Sequence, residues 1–325
     1  MQKVYGVALV GLGVMGMRML ERLQPHPVLR AAALYDPGAG ACARAHAAAP
    51  DAAVCATAEE AAARPDVDVV YIATPPGAHA HYAHMAFDHG KAVFCEKPLT
   101  VETSDGKGLV DRIAREGRPA AVNFSLAASP AFRAVEEEVR HGAIGTPQRI
   151  EIRCAFRTWP RPWQAAAAAW LAKREEGGFT REVVSHFLFA AIRVGGPLAV
   201  RRSRVEWPAD PTASETGIEA ELSAGGLPVT LAGRVGGTQA DDENQFIVHG
   251  TTGAVRIRDW AQADRLADGG WETLSLGSAD EVRWRGAQGQ LDELHAMLEG
   301  RPHRLATFVE SFAIQEAIEG LLRGA

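Results

Sequence analysis

The stretch Val4-Tyr5-Gly6-Val7-Ala8-Leu9-Val10-Gly11-Leu12-Gly13-Val14-Met15-Gly16 decides the fold. Up to Val10 it is a short apolar run with β-branched residues, the texture of a buried strand, and it stops at Gly11. Met15 to Leu23 then reads as a helix that ends before Pro25. Gly11, Gly13 and Gly16 form GxGxxG at the join. In that position the glycines permit a tight turn, close approach of backbone to a pyrophosphate, and close packing of helix on strand. The helix N-terminus supplies N–H donors to phosphate, so Gly11, Gly13, Val14, Met15 and Gly16 are candidate cofactor residues.

A second strand, Val28 to Tyr35, ends at Asp36-Pro37-Gly38, and an alanine-rich helical stretch follows to about Ala49. Asp36 stands 20 residues after Gly16, where an acid accepts hydrogen bonds from the adenine ribose. A 2′-phosphate there would meet like charge, and the first basic residue beyond is Arg44. NAD is favoured, with NADP possible.

The pattern continues. Thr57 and Glu60 form a capping box, Val67 to Ala73 is an apolar strand of the parallel-sheet kind, and His79 to His89 is helical up to Gly90. Ala92 to Cys95 is a strand, Glu102 to Glu116 a helix and Ala120 to Phe124 a strand. Alternation of this kind predicts a doubly wound parallel sheet, a Rossmann domain over 1–125. Beyond Phe124 strands follow one another at Arg149–Phe156, Arg201–Trp207, Ile218–Leu222, Val229–Val235, Phe246–His249 and Val255–Trp260. Gly225-Gly226 and Thr251-Thr252-Gly253 sit where hairpin loops belong. With helices at Pro130–His141, Trp163–Lys173, Arg181–Val194 and Leu305–Arg323, residues 126–325 are expected to form an α/β domain with a largely antiparallel open sheet. Its expected work is substrate binding and oligomerisation.

Composition limits the function. A chain of 325 residues is long enough for two domains, and 34 basic against 40 acidic residues give a net charge of −6. That balance carries no nucleic-acid footprint. The four cysteines, Cys42, Cys55, Cys95 and Cys154, have no zinc-ribbon or redox spacing. No apolar run approaches the length of a membrane span, and the first ten residues lack a cleavage site. No membrane partner and a cytoplasmic location are expected.

Two groups of residues carry candidate chemistry. Ala73-Thr74-Pro75-Pro76 and Glu96-Lys97-Pro98 close the fourth and fifth strands, and ligands bind at the carboxyl ends of parallel strands. Thr74, Pro75, Pro76, His79, Glu96 and Lys97 therefore join the candidate cofactor residues. In the second half Glu182 and His186 are four apart on one helical face. Such a pair is an exposed ion pair, a metal half-site or an acid/base constellation. His79, His81, His84 and His89 read as solvated surface, because no carboxylate or Cys completes a site. No metal is expected.

Taken in order, GLGVMG, ATPP, FCEKPLT, EGGFTREVVSHF, HGTTGAV and the C-terminal helix resemble the Gfo/Idh/MocA oxidoreductases over nearly the whole chain. The resemblance implies a Rossmann domain followed by an α/β domain whose open sheet often forms the dimer face. It also implies that Lys97 lies beside the nicotinamide and the substrate hydroxyl, and that His186 is a second acid/base residue. Glu182 stands where the family more often has Asp. The implied activity is NAD(P)-dependent oxidation of a hydroxyl, or reduction of the matching carbonyl, on a sugar-like or cyclic diol substrate. The alternatives are a non-catalytic NAD(P)-binding sensor and an imine or tetrapyrrole reductase.

The chain also departs from the family. Phe124-Ser125-Leu126-Ala127-Ala128-Ser129-Pro130 replaces a segment that often reads Phe-Asn-Arg-Arg before Ser-Pro. Instead, Arg157-Thr158-Trp159-Pro160-Arg161-Pro162-Trp163-Gln164 is rich in Trp and Arg. Arg157, Trp159 and Trp163 are candidate substrate contacts beside Lys97, Glu182 and His186, with core or interface packing as the other reading. A small-molecule substrate and a homodimer or homotetramer through the C-terminal sheet are the expected partners.

Overall fold

Six strands, β1 (Tyr5–Val10), β2 (Leu29–Tyr35), β3 (Ala53–Val54), β4 (Val69–Ile72), β5 (Ala92–Cys95) and β6 (Ala120–Val122), open the computed structural model, which describes residues 3–324. They pair in parallel in the order β3-β2-β1-β4-β5-β6. Between them run α1 (Val14–Leu23), α2 (Ala39–Ala48), α3 (Ala58–Ala63), α4 (His79–Asp88) and α5 (Thr103–Glu116). The strand order reverses between β1 and β4, which leaves the loops at their carboxyl ends splayed apart. The sequence does not predict β3, because two residues carry no apolar period.

The chain divides into two units. One runs to Phe124 and takes in Ala287–Phe312; the other holds Ser125–Gly286 and the residues from Ala313 onward. The returning segment belongs with the first because Leu291, Leu294, Met297 and Leu305 are buried in one cluster with Leu9, Leu20, Tyr71 and Phe94. The helix that carries three of them, Ala279–Leu298, has Gly286 and Gly289 within it, and the sequence reading found no helix there.

In the second unit β7 (Pro147–Phe156), β8 (Leu198–Glu206), β9 (Gly217–Ala224), β10 (Leu227–Val235), β11 (Asp242–Gly250), β12 (Ala254–Arg258), β13 (Gln262–Ala267) and β14 (Gly270–Thr273) form one sheet in the order β14-β13-β12-β11-β7-β10-β9-β8. Every pairing is antiparallel except β7 with β10. Gly225 and Gly226, both with positive φ, turn the β9–β10 hairpin. One face buries Ile150, Ile152, Phe156, Leu222, Leu231, Phe246 and Val248. Phe132 of α6 (Pro130–Arg140) meets Phe246 edge-on with ring centroids 6.3 Å apart. The helix expected over Trp163–Lys173 is a 3₁₀ segment, Pro162–Ala167, followed by the single turn α7 (Ala168–Leu171).

The other face of this sheet is not apolar, as a second subunit packed by hydrophobic burial would require. Glu151 is bound by Arg149 at 3.2 Å, by His249 at 3.1 Å and by Arg153. Arg234 meets Glu206 at 3.0 Å, Arg202 meets Glu221, and Asp264 takes Arg256 at 2.7 Å and Arg258 at 3.3 Å. Strand alternation puts these charges on one side and the aliphatic residues on the other.

Candidate active site

In the first unit the glycine turn is fixed by space. Gly11 has φ +94°, and a Cβ on it would lie 2.6 Å from the carbonyl of Ala73; one on Gly16 would lie 2.0 Å from the Gly11 oxygen. At Gly13, which is exposed, a Cβ would meet nothing within 4 Å. Gly13 is also the N-cap of α1, with no side-chain cap and no acidic residue in the first turn. The first N–H groups of α1, at Val14 and Met15 among others, therefore face open space with the positive end of the helix dipole behind them. Asp36 lies at the tip of β2, where Leu12 N–H donates to its Oδ2 and Gly38 N–H to its Oδ1, both at 2.8 Å. A carboxylate accepts about four hydrogen bonds, so both oxygens keep capacity for ribose hydroxyls. The uncapped helix, the open Gly13 and this carboxylate fit a dinucleotide.

Thr74, Pro75 and Pro76 follow β4. The Thr74 hydroxyl is buried with no partner among the described residues. His79, 1% exposed, is not surface. Its Nε2 lies 2.9 Å from the Thr74 carbonyl oxygen and its Nδ1 2.9 Å from that of Pro98. The ring nitrogens thus face the carbonyls of two loops, one after β4 and one after β5. Burial pushes its pKa down, against the pull of the three carbonyls, including that of Leu99, around it.

Next to the half-buried Lys97, the Glu96 side chain is almost fully buried. The Tyr71 hydroxyl donates to Glu96 Oε1 at 2.5 Å and Asn123 Nδ2 donates to the same oxygen at 2.7 Å. Three strand ends, β4, β5 and β6, are tied at this one atom. Burial raises the carboxyl's pKa, and these hydrogen bonds with the Lys97 charge pull it back. Tyr71 and Asn123 were not anticipated, since a Tyr inside an apolar strand gives no signal of a polar partner.

In the second unit a π-helical turn, Thr180–Val184, carries Glu182 and runs into α8 (Ser185–Gly195), which carries His186 near its start. Such turns recur at functional sites. His186 is buried, and its Nδ1 lies 3.3 Å from the Ser125 hydroxyl. Gln164 Nε2 donates to Glu182 Oε1 at 3.0 Å, and an Arg161 nitrogen lies 3.7 Å from the same oxygen. Arg161 also donates to Gln164 at 2.9 Å and to Asp242 at 2.7 Å. Arg161 is only 6% exposed, and its charge is balanced by two carboxylates and covered by the Trp163 ring, 4.8 Å away.

Within the Trp-rich segment the contacts to Glu182 come from Arg161 and Gln164, which the sequence did not single out. Trp159, half-buried, packs against Phe156 and Phe179 and donates its Nε1–H to the Leu171 carbonyl at 3.0 Å. Trp163 is 44% exposed, and the exposed Arg157 pairs with Asp241. Trp260, also unanticipated, sets its ring perpendicular to that of His186, with centroids 5.3 Å apart. Among the described residues no three His, Cys, Asp or Glu side chains group as metal ligands, and no helix is long and apolar enough to cross a membrane.

An uncapped glycine turn, a carboxylate at the tip of β2 and a six-stranded parallel sheet define a dinucleotide-binding domain, and the second unit is an open-sheet domain. Residues 5–124 match the model of the Gfo/Idh/MocA oxidoreductase family, with its NAD-binding Rossmann fold. Among curated relatives, inositol 2-dehydrogenase of Gluconacetobacter diazotrophicus is 34% identical over 143 residues, 43% of this chain and 42% of its own. D-Apiose dehydrogenase of Paraburkholderia graminis is 32% identical over 158 residues, 48% and 39% of the two chains. The chain thus spans less than half the length of these relatives. Among solved structures, an Agrobacterium radiobacter oxidoreductase in complex with NAD⁺, L-tartaric acid and magnesium superposes with a TM-score of 0.82 at 18% identity, covering 99% of this chain and 96% of that one. A 3-ketoreductase of Actinomadura kijaniata, with TDP-benzene and NADP, gives 0.80 at 20% identity over 99% and 98%. At these identities the likeness is one of fold, and it extends over both units.

Proposed function

We propose that the protein is an NAD-dependent oxidoreductase that oxidises a secondary or hemiacetal hydroxyl of a sugar-like or cyclic diol substrate, or reduces the matching carbonyl. The carrying observation is Lys97, half-buried at the carboxyl end of β5 beside a carboxyl tied to two neighbouring strands, in a domain of an NAD-binding family. The relatives named for inositol and apiose support the substrate class.

When bound, NAD accepts or delivers the hydride; the protein orients the substrate and moves one proton. Lys97 takes the hydroxyl proton or polarises the forming carbonyl. His186, with Nδ1 beside the Ser125 hydroxyl, is the second acid/base group. Glu182, anchored by Gln164 and Arg161, orients that region. Asp36 selects NAD over NADP.

A homodimer or homotetramer through the second sheet is part of the proposal, as an association of charged rather than apolar surfaces. A cytoplasmic location accords with Cys42, Cys55, Cys95 and Cys154 all being free thiols.

The test is NADH formation from NAD across a panel of cyclitols, anhydrosugars and aldoses. Turnover of a ring substrate is expected. Tight NAD binding with no turnover across the panel would overturn the enzyme reading in favour of a sensor. Binding of an aromatic ligand at Trp163 would favour the imine or tetrapyrrole reading.

A further inference from the structure

Among the described residues only two that are not glycine have a left-handed backbone, and they are consecutive: Asp259 (φ 50°) and Trp260 (φ 71°). They open the short loop between β12 and β13, where Arg258 pairs with Gln262. Asp tolerates this region; an indole rarely adopts it. The loop is pinned to β11, since Asp259 N–H donates to the Asn244 carbonyl at 3.0 Å and Asn244 N–H donates to Asp259 Oδ1 at 3.2 Å. Asn244 is wholly buried, and its side-chain amide has no hydrogen-bond partner among the described residues.

What this backbone achieves is the placement of one ring. The Trp260 indole lies on Phe187, with centroids 5.1 Å apart and planes 26° apart, and Phe187 lies on Phe246 at 6.5 Å and 11°. Phe187 and Phe246 are buried, whereas Trp260 is half-exposed, so the indole is the outermost ring of the stack. It stands edge-to-face with His186. Filling a core needs neither an unfavourable backbone nor a half-exposed ring. Strain held in place by its surroundings is a mark of functional sites.

We propose that Trp260 is a specificity-determining residue: its indole is the apolar wall beside His186, on which the C–H face of a ring polyol stacks. A cyclitol or pyranose offers a flat face of C–H groups with hydroxyls around its rim, and indole is a large rigid surface that accepts it. An acyclic polyol has no such face. The proposal rests on the reading of His186 as an acid/base residue at the substrate.

The experiment uses full-length protein carrying 5-fluorotryptophan and saturated with NADH, with the Trp260 fluorine line assigned through Trp260→Phe and the His186 ring protons through His186→Asn. The probes are myo-inositol, levoglucosan and the acyclic hexitol sorbitol. At least one ring polyol is expected to shift both the Trp260 and the His186 signals, with sorbitol shifting Trp260 far less. Trp260→Leu is expected to weaken binding of that ring polyol about tenfold relative to sorbitol, and Trp260→Phe to restore part of the ratio. A purely structural role would lower the unfolding temperature and leave the ratio unchanged, which would overturn the proposal. If a ring polyol moves His186 and not Trp260, this proposal falls while the reading of His186 stands. If neither signal moves with any ring polyol, both fall.

Discussion

His79 and Pro98 are joined through the imidazole Nδ1, 2.9 Å from the Pro98 carbonyl oxygen, while the other nitrogen of the same ring reaches Thr74. Carbonyl oxygens only accept, so a neutral ring donates to one loop and an imidazolium to both. With the proton on Nδ1, or with both nitrogens protonated, the residue after Lys97 is tethered to the helix that follows β4. His79→Phe keeps the ring and removes both donors. It is expected to lower kcat about 10- to 100-fold through misplacement of Lys97. Amide exchange across residues 96–99 should accelerate in parallel. Unchanged exchange and turnover would show that the tether is dispensable.

On the proposed reading, cofactor choice turns on Asp36. Its carboxylate already accepts from Leu12 and Gly38, so it is fixed in place where a 2′-phosphate would meet its charge. NADH is expected to protect against thermal unfolding better than NADPH; at 100 times its dissociation constant it should stabilise the unliganded protein by about 2.7 kcal/mol. Asp36→Ser combined with Pro37→Arg should reverse the order. Equal protection by both cofactors would remove the argument from this residue.

If Lys97 handles the hydroxyl proton, Lys97→Met should reduce kcat about 10²- to 10⁴-fold with NADH affinity nearly unchanged. His186→Asn should also reduce it. The double variant should lose less than the product of the single losses, since groups that handle one proton act as a unit. Turnover near the parent value in Lys97→Met would sink the mechanism while leaving the fold and cofactor untouched.

Glu215 gives a pH dependence with a defined sign. It is buried, with Oε1 accepting from Thr180 N–H at 2.8 Å and Oε2 without a partner among the described residues. Burial raises its pKa, which the Thr180 hydrogen bond only partly opposes. A carboxyl whose folded pKa lies above its unfolded value holds its proton more tightly when folded. Its stabilisation is complete below the ordinary carboxylate range and disappears as pH rises through the folded pKa. Glu215→Gln should therefore gain on the parent as pH is raised across that window. Denaturant unfolding at a series of pH values measures it; a difference constant with pH would refute the assignment.

The sequence exposes what has a period or a glycine constraint and hides what depends on tertiary partners. Gly11 and Gly16 are forced by backbone contacts that only glycine allows, so the strand, turn and helix around them were legible at once. Asp36 follows from the length of a βαβ unit. By contrast, Arg161 is read naturally as a surface charge, and only the fold gives it Asp242 and Gln164. The same holds for Trp260, whose backbone angle leaves no trace in composition. Within the Trp-rich segment, Trp159 packs against Phe156 and Phe179, while Arg161, two residues on, lies beside Glu182.

The return of residues 287–312 to the first unit bears on how such a chain can be recombined. Leu291, Leu294, Met297 and Leu305, at about 1.5–3 kcal/mol for each buried side chain, supply an amount comparable to the whole stability of an ordinary domain. A chimaera made by a single crossover near residue 125 would inherit the first sheet from one parent and a patch of that sheet's core from the other. Exchange that keeps each core intact requires three crossovers, after Phe124, after Gly286 and after Phe312. The two halves of this protein are therefore inherited most safely as a matched set, so that a new substrate specificity is more readily reached by changing side chains than by shuffling modules.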